Sequence, residues 1–244
     1  MANARGTPST SAAPPPSDAE QDEAKRTIAR TLDFVAQLRE LPALREVDGR
    51  RLSREEMVAH VERALGEEVP PEVLEATNAF LFLAGVVESS FDYEKSLLSV
   101  LGTDLAGFYD PKARRMYLGT DLPVAEQHAT LAHELVHALQ DQHYGLAKLT
   151  EWTPDASDRM GALHSLAEGD ATSAMLDGLL FGSGRSSLDL EDEVFVGQIE
   201  QMQNTDPAVP ALVRRSVVAP YVDGLKFVHS LRRKGGWPAV DAAW

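Results

Sequence analysis

One stretch of the chain, residues 125–140, constrains the fold more than any other. It contains no glycine or proline and is rich in alanine and leucine, which predicts an α-helix. Inside it stands the pentapeptide His133-Glu134-Leu135-Val136-His137. Residues four apart share one face of a helix, so His133 and His137 can offer two imidazole nitrogens to a single metal ion. The sequence therefore predicts a helix that carries half of a metal site.

Glu134 adds a reactive group to this helix. It lies next to His133, where its carboxylate can reach a water on the metal without binding the metal itself. This HExxH arrangement is the one that a zinc peptidase needs. We therefore expect zinc-dependent hydrolysis of a peptide bond in a peptide or protein substrate, as by a metalloendopeptidase. Glu134 would act as the general base on the zinc-bound water and pass the proton to the leaving amine.

Two residues compete to be the third zinc ligand. A catalytic zinc usually takes three protein ligands and keeps a fourth position for water. His143 follows His137 at the metzincin spacing, but Gln140 stands where that pattern needs a glycine for a sharp turn. Glu168 comes 31 residues after His137, and a glutamate on a second helix packed against the first is the gluzincin solution. We favour Glu168 and keep His143 as its rival.

Composition narrows the classes of partner. Lys and Arg number 23 against 38 Asp and Glu, and the formal net charge of −15 argues against nucleic acid and against an anionic membrane surface. The chain has no cysteine, so zinc must use histidine and carboxylate ligands. No run of apolar residues is long enough for a transmembrane segment. Without an apolar signal region the sequence as written predicts a cytoplasmic protein, or a secreted protein or lipoprotein if a signal was removed.

The chain divides into three regions. Residues 1–19 are rich in Ala, Pro, Ser and Thr and predict a disordered leader. Residues 20–101 predict a helical N-terminal region packed on the core, with helices over residues 20–41, 54–65 and 72–101. A capping box from Ser53 to Glu56 opens the second of these helices. Residues 102–244 predict the zincin-like catalytic region, and one continuous domain over residues 20–244 is the alternative.

Within the catalytic region, residues 105–119 predict a β-hairpin around the turn Asp110-Pro111-Lys112-Ala113. Residues 156–180 predict a helix, residues 181–187 a loop, and residues 220–233 a final helix. The expected fold class is α+β and zincin-like: mostly helical, with a small sheet or hairpin beside the HExxH helix.

Two blocks of sequence carry a resemblance to a known group. Residues 133–143, followed by Glu168-Gly169-Asp170-Ala171, resemble bacterial gluzincin-like metallopeptidases, many of which are secreted proteins or lipoproteins. Residues 107–110 and 220–224 are also similar to that group, and the resemblance covers roughly residues 105–244. It implies zinc bound by His133, His137 and Glu168, with Glu134 as the base. One departure is Thr172, where better-known gluzincins have an aspartate.

Two further roles have candidates. Asp170 is expected to orient a ligand histidine through the other nitrogen of its ring. Four residues are candidates to donate a hydrogen bond to the developing oxyanion: Tyr221, Tyr144, His164 and His229. We favour Tyr221 because it lies in a Pro-Tyr block that resembles the family.

Two rival readings remain. The first is a catalytically incomplete or latent zincin-fold protein that binds or regulates a partner. The early end of the chain after residues 235–237 and the long helical N-terminal region motivate it. The second is a structural helical protein with a chance HExxH, which would bind no zinc.

Overall fold

The structure is a computed structural model that describes residues 16–103, 106–121, 127–149, 153, 156–202 and 209–244. Most of the expected leader lies outside the described residues. The first helix begins at Asp18, just inside the predicted leader. The Ser17 hydroxyl accepts from the backbone N–H of Glu20, and the Glu20 carboxylate accepts from the backbone N–H of Ser17. This capping box satisfies backbone N–H groups that a helix start would otherwise leave without partners.

The described residues are mostly helical and carry one small sheet, which confirms the α+β class. In chain order the elements are α1 (Asp18–Leu38), β1 (Asp48–Leu52), α2 (Arg54–Glu68), α3 (Pro71–Leu83), α4 (Tyr93–Thr103), β2 (Gly107–Asp110), β3 (Arg115–Gly119), α5 (His128–Tyr144), α6 (Leu146–Leu149), α7 (Ser157–Leu180), α8 (Asp192–Met202) and α9 (Ala211–Asp241). Two 3-10 turns, Phe181–Ser183 and Ser187–Asp189, connect α7 to α8.

The sheet has three strands in the order β1-β3-β2. Strands β2 and β3 form the predicted antiparallel hairpin. Strand β1 was not predicted, and it pairs parallel to β3 with Gly49 opposite Met116. Its sequence is charged and contains glycine, so its strand propensity is low. It forms because α1 packs on it: a Cβ at Gly49 would lie 1.9 Å from Cδ1 of Ile28. Tertiary packing thus places a strand in a region predicted to be helical.

Helix α5 lies at the centre of the main core. Its apolar face buries Leu131, Leu135, Val136 and Leu139 completely against α1, α7 and the sheet. Burial of each such side chain stabilises the fold by roughly 1.5–3 kcal/mol, which fixes the rotation of the helix about its axis. With that face buried, His133 and His137 are directed towards Glu168 on α7.

Helices α7 and α9 approach so closely that their backbones touch. A Cβ at Gly224 would lie 1.9 Å from the carbonyl oxygen of Ser165, and a Cβ at Gly169 would lie 2.1 Å from the carbonyl carbon of Gly224. Only glycine at these two positions permits this crossing. Glu168 adjoins Gly169, and Tyr221 lies one turn before Gly224. The two glycines therefore bring Tyr221 next to Glu168.

The largest differences from the predicted helices lie in residues 72–101 and in the final helix. The helix predicted over residues 72–101 is a pair, α3 and α4, and the final helix starts at Ala211 rather than at Pro220. Val213 packs in a buried cluster with Leu81 of α3, and Val218 is buried as well, so the helix extends before Pro220. The backbone leaves helical geometry at Gly235 and Gly236, where the final helix was expected to have ended. Among the described helices, none combines the length and apolar character needed to cross a bilayer.

Candidate metal centre

Three ligand atoms converge where α5 packs on α7. Nε2 of His133 and Nε2 of His137 lie 3.2 Å apart, and Oε2 of Glu168 lies 3.0 Å from the first and 3.5 Å from the second. A tetrahedral zinc ion with bonds of about 2.0–2.1 Å separates neighbouring ligand atoms by roughly 3.3–3.4 Å. The three residues are buried and spaced as such an ion requires.

His143 is not part of this group. Its Nε2 donates to the backbone carbonyl of Pro42, 2.7 Å away. Helix α5 continues through Gln140 and ends only at Gly145, which adopts the left-handed conformation with φ of 74°. The helix therefore ends five residues after the position where the metzincin pattern needs a sharp turn. Because the helix is continuous, His143 lies about 240° round the helix axis from His137. The structure places Glu168, rather than His143, beside the two histidines.

Glu134 is tied to the sheet by a contact that the sequence did not reveal. Its Oε2 accepts a hydrogen bond of 2.9 Å from the backbone N–H of Tyr109 in the edge strand β2. Burial raises the pKa of Glu134, and the charges of His137 and His133 oppose that rise. The only sequence signal for this contact was the position of the hairpin directly before the helix. The side chain thus has one oxygen held in place and a pKa shifted towards neutrality.

Glu168 and His137 shift each other's pKa. Burial lowers the pKa of His137, but the charge and hydrogen bond of Glu168 outweigh it and raise that pKa to about 9. Burial raises the pKa of Glu168, but the charge of His137 and hydrogen bonds from His133, His137 and His164 lower it well below its usual range. Glu168 and His137 thus each favour the charged form of the other.

Two of the four expected donor candidates lie at the site. The Tyr221 ring stacks on His133 with ring centroids 5.8 Å apart, and its side chain hydrogen-bonds to Glu168. The charge of Glu168 and then burial raise the pKa of Tyr221 well above its usual range, so the hydroxyl keeps its proton. His164 lies with its Nε2 3.2 Å from Oε1 of Glu168, and over half of its side chain is exposed.

The other two donor candidates lie elsewhere. Tyr144 donates its hydroxyl to Asp241 at 2.9 Å. His229 lies with Nδ1 2.7 Å from Asp192 and Nε2 3.2 Å from the hydroxyl of Ser187. These Ser-His-Asp contacts resemble a nucleophilic triad. Ser187 and His229 are fully buried, however, and the Arg232 guanidinium also donates to Ser187. The hydroxyl of Ser187 is thus closed off from solvent. Through Asp177 of α7, which accepts from Ser187 and Arg232, the network joins α7, α8 and α9.

This buried network gives a pH-dependent contribution to stability. Burial lowers the pKa of His229, Arg232 and Arg233 add to that effect, and Asp192 opposes it. The unfolded chain protonates this histidine near pH 6.5, while the folded chain resists protonation. The contribution of neutral His229 to the free energy of unfolding is therefore fully present above about pH 6.5. It decreases as the pH falls, by at most about 1.4 kcal/mol per pH unit.

We therefore expect the stability difference between the wild type and His229→Gln to be smaller at pH 5 than at pH 7. This difference is the free energy of unfolding of the wild type minus that of the variant. Urea unfolding of both proteins at the two pH values measures the difference. A difference that stays constant or grows towards pH 5 would contradict a buried neutral histidine.

The structure corrects the role expected of Asp170. This side chain accepts hydrogen bonds from Nε of Arg39 at 2.5 Å, from NH2 of Arg39 at 3.2 Å and from the indole of Trp244 at 3.2 Å. Position 170 lies about 200° round α7 from Glu168, so its carboxylate points away from the histidines. The second ring nitrogen of His137 instead lies 2.8 Å from Oε1 of Gln140.

No family model, curated protein or solved structure matches the chain. The chemistry of the site thus follows from its residues alone. Two imidazole nitrogens and a carboxylate oxygen lie at zinc-ligand spacing. A second carboxylate and a tyrosine hydroxyl adjoin them.

Proposed function

We propose that the chain is a zinc-dependent metallopeptidase of the gluzincin type, with a zincin-like fold. His133, His137 and Glu168 would hold the ion. The observation that carries this proposal is the convergence of their ligand atoms, 3.0 to 3.5 Å apart, on the HExxH helix and a second helix. Zinc bound there would polarise the scissile carbonyl and lower the pKa of the attacking water.

Glu134 is the general base in this proposal. The Tyr109 N–H holds its Oε2, which leaves Oε1 to take the proton from the attacking water. Burial raises the pKa of the carboxyl, and a base is most effective when its pKa lies near the working pH. The protonated acid then returns the proton to the leaving amine. The substrate is a peptide or protein, and the net charge of −15 disfavours nucleic acid as a partner.

Tyr221 is the proposed donor to the oxyanion. Its hydroxyl remains protonated and lies beside Glu168, so it can donate to an oxygen bound in the site. Tyr221→Phe is expected to lower kcat by roughly 10²–10³-fold, the usual cost of one oxyanion donor, with zinc content unchanged. Steady-state kinetics on a cleaved peptide, paired with metal analysis, measures both quantities. A kcat within twofold of the wild type would remove Tyr221 from this role.

A peptide-library digest tests the function itself. The zinc-loaded chain, the same protein after chelation, and the chelated protein with zinc restored are each incubated with peptides of mixed length and sequence. Cleavage is expected in the first and third samples and not in the second. Stoichiometric zinc without cleavage at any peptide length or pH would favour a latent or binding role. A chain that binds no zinc would be a helical protein with a chance motif.

A further inference from the structure

We infer that Gln140 is a positioning residue for the metal site, which sets the tautomer of His137 and couples the two ligand-bearing helices. The inference rests on the proposed function. The Gln140 side chain is fully buried and makes two hydrogen bonds. Its Oε1 lies 2.8 Å from Nδ1 of His137, and its Nε2 donates to the carbonyl oxygen of Ala167 at 3.0 Å.

The partners of this amide decide which way it faces. The Ala167 carbonyl can only accept a hydrogen bond, so the amide NH₂ of Gln140 must face it. The amide oxygen then faces His137, and because that oxygen can only accept, Nδ1 of His137 must carry a hydrogen. A neutral imidazole with its proton on Nδ1 has its lone pair on Nε2. Nε2 is the nitrogen that lies near His133 and Glu168.

The second hydrogen bond reaches the third ligand. Ala167 directly precedes Glu168 on α7, so one side chain links the imidazole of His137 on α5 to the backbone that carries the carboxylate. Gln140 thereby orients one ligand and ties together the two helices that supply all three. Metzincins have a glycine at the position of Gln140. In this chain the helix continues through that position, and the glutamine side chain makes hydrogen bonds instead.

The expected effect is on zinc affinity. Loss of an outer hydrogen-bond partner of a ligand histidine typically weakens metal binding by about 10–100-fold. Gln140→Leu removes both hydrogen bonds at similar side-chain volume. The matched control is Gln142→Leu on the same helix. Gln142 hydrogen-bonds to the backbone of Leu44 and Arg45 and contacts no proposed ligand.

Zinc dissociation constants are measured by competition with a chromophoric chelator for the wild type and both variants. We expect Gln140→Leu to bind zinc about 10–100-fold more weakly and Gln142→Leu to stay within about threefold of the wild type. Equal weakening in both variants, or none in Gln140→Leu, would overturn the inference while leaving the zinc site intact. A wild type that binds no zinc would instead refute the proposed function.

A second readout uses the wild type alone and does not depend on the folding of a variant. Long-range ¹H–¹⁵N NMR of the zinc-loaded chain reports which nitrogen of His137 carries the proton. We expect the proton on Nδ1 and the metal on Nε2. Metal on Nδ1 would overturn the inference, because Gln140 could not then accept from that atom.

Discussion

Replacement of Glu134 by glutamine is expected to lower kcat for peptide hydrolysis by about a thousandfold, within the range of 10²–10⁴ that a general base contributes. Glutamine keeps the shape of the side chain, and its amide oxygen can still accept from the Tyr109 N–H that holds the glutamate. The amide cannot take a proton from water, so only the chemical step is lost. Zinc content is expected to remain at the wild-type level, since Glu134 is not a proposed ligand.

The control for this variant is Glu94→Gln, the same chemical change at an exposed residue of α4. It should leave kcat unchanged. The measurement is kcat on a peptide identified by the library digest, with zinc per chain determined on the same samples. Undiminished hydrolysis by Glu134→Gln with zinc bound would refute the proposed role of this carboxylate.

Gly224→Ala is expected to produce the largest loss of stability among single changes at the α7–α9 crossing. The added methyl group would lie 1.9 Å from the Ser165 carbonyl oxygen, and backbone cannot move aside as a flexible side chain can. Overpacking of this kind costs typically 1–3 kcal/mol, and we expect about 3 kcal/mol or more because both contacting surfaces are backbone. The forced separation also moves Tyr221 away from Glu168, so activity should fall with stability.

Gly161→Ala on α7 is the matched control. In the part of the chain that the structure describes, no atom outside the adjoining helix backbone lies within 4 Å of a Cβ built at that position. Alanine favours helix over glycine by about 0.8–1 kcal/mol. The free energy of unfolding, measured by urea denaturation, should therefore rise in Gly161→Ala and fall in Gly224→Ala. Similar values for the two variants would show that the close crossing of α7 and α9 does not exist in solution.

Features encoded by local sequence were predictable. The HExxH helix follows from helix-forming composition, and the capping box at Ser53 and Glu56 is present as expected. The hairpin followed from turn residues between two β-prone segments. Glu168 was preferred over His143 because a glutamine at position 140 does not favour the sharp turn that His143 would need. The continuous helix to Tyr144 bears out that local reasoning.

Features made by contacts between distant residues were not predictable. Asp170 lies against Arg39, 131 positions away, and no periodicity in either helix indicates that pair. The backbone contact between Gly169 and Gly224 needs the crossing of two helices, which glycine alone does not reveal. In the sequence, Gln140 indicates only that a sharp turn at that position is unfavourable. Its two hydrogen bonds depend on how α5 packs on α7, and that packing is a property of the fold.

The most direct test of the zinc site is the number of zinc ions bound per chain, together with the zinc dissociation constant, in the wild type, His143→Ala and Glu168→Ala after chelation and reconstitution. We predict one zinc ion in the wild type and in His143→Ala. In Glu168→Ala we predict that zinc binds more weakly by a larger factor than the roughly 10–100-fold caused by loss of a hydrogen-bond partner of a ligand histidine, because a direct ligand is removed. Zinc retained at wild-type affinity in Glu168→Ala, or lost from His143→Ala alone, would contradict a site built from His133, His137 and Glu168.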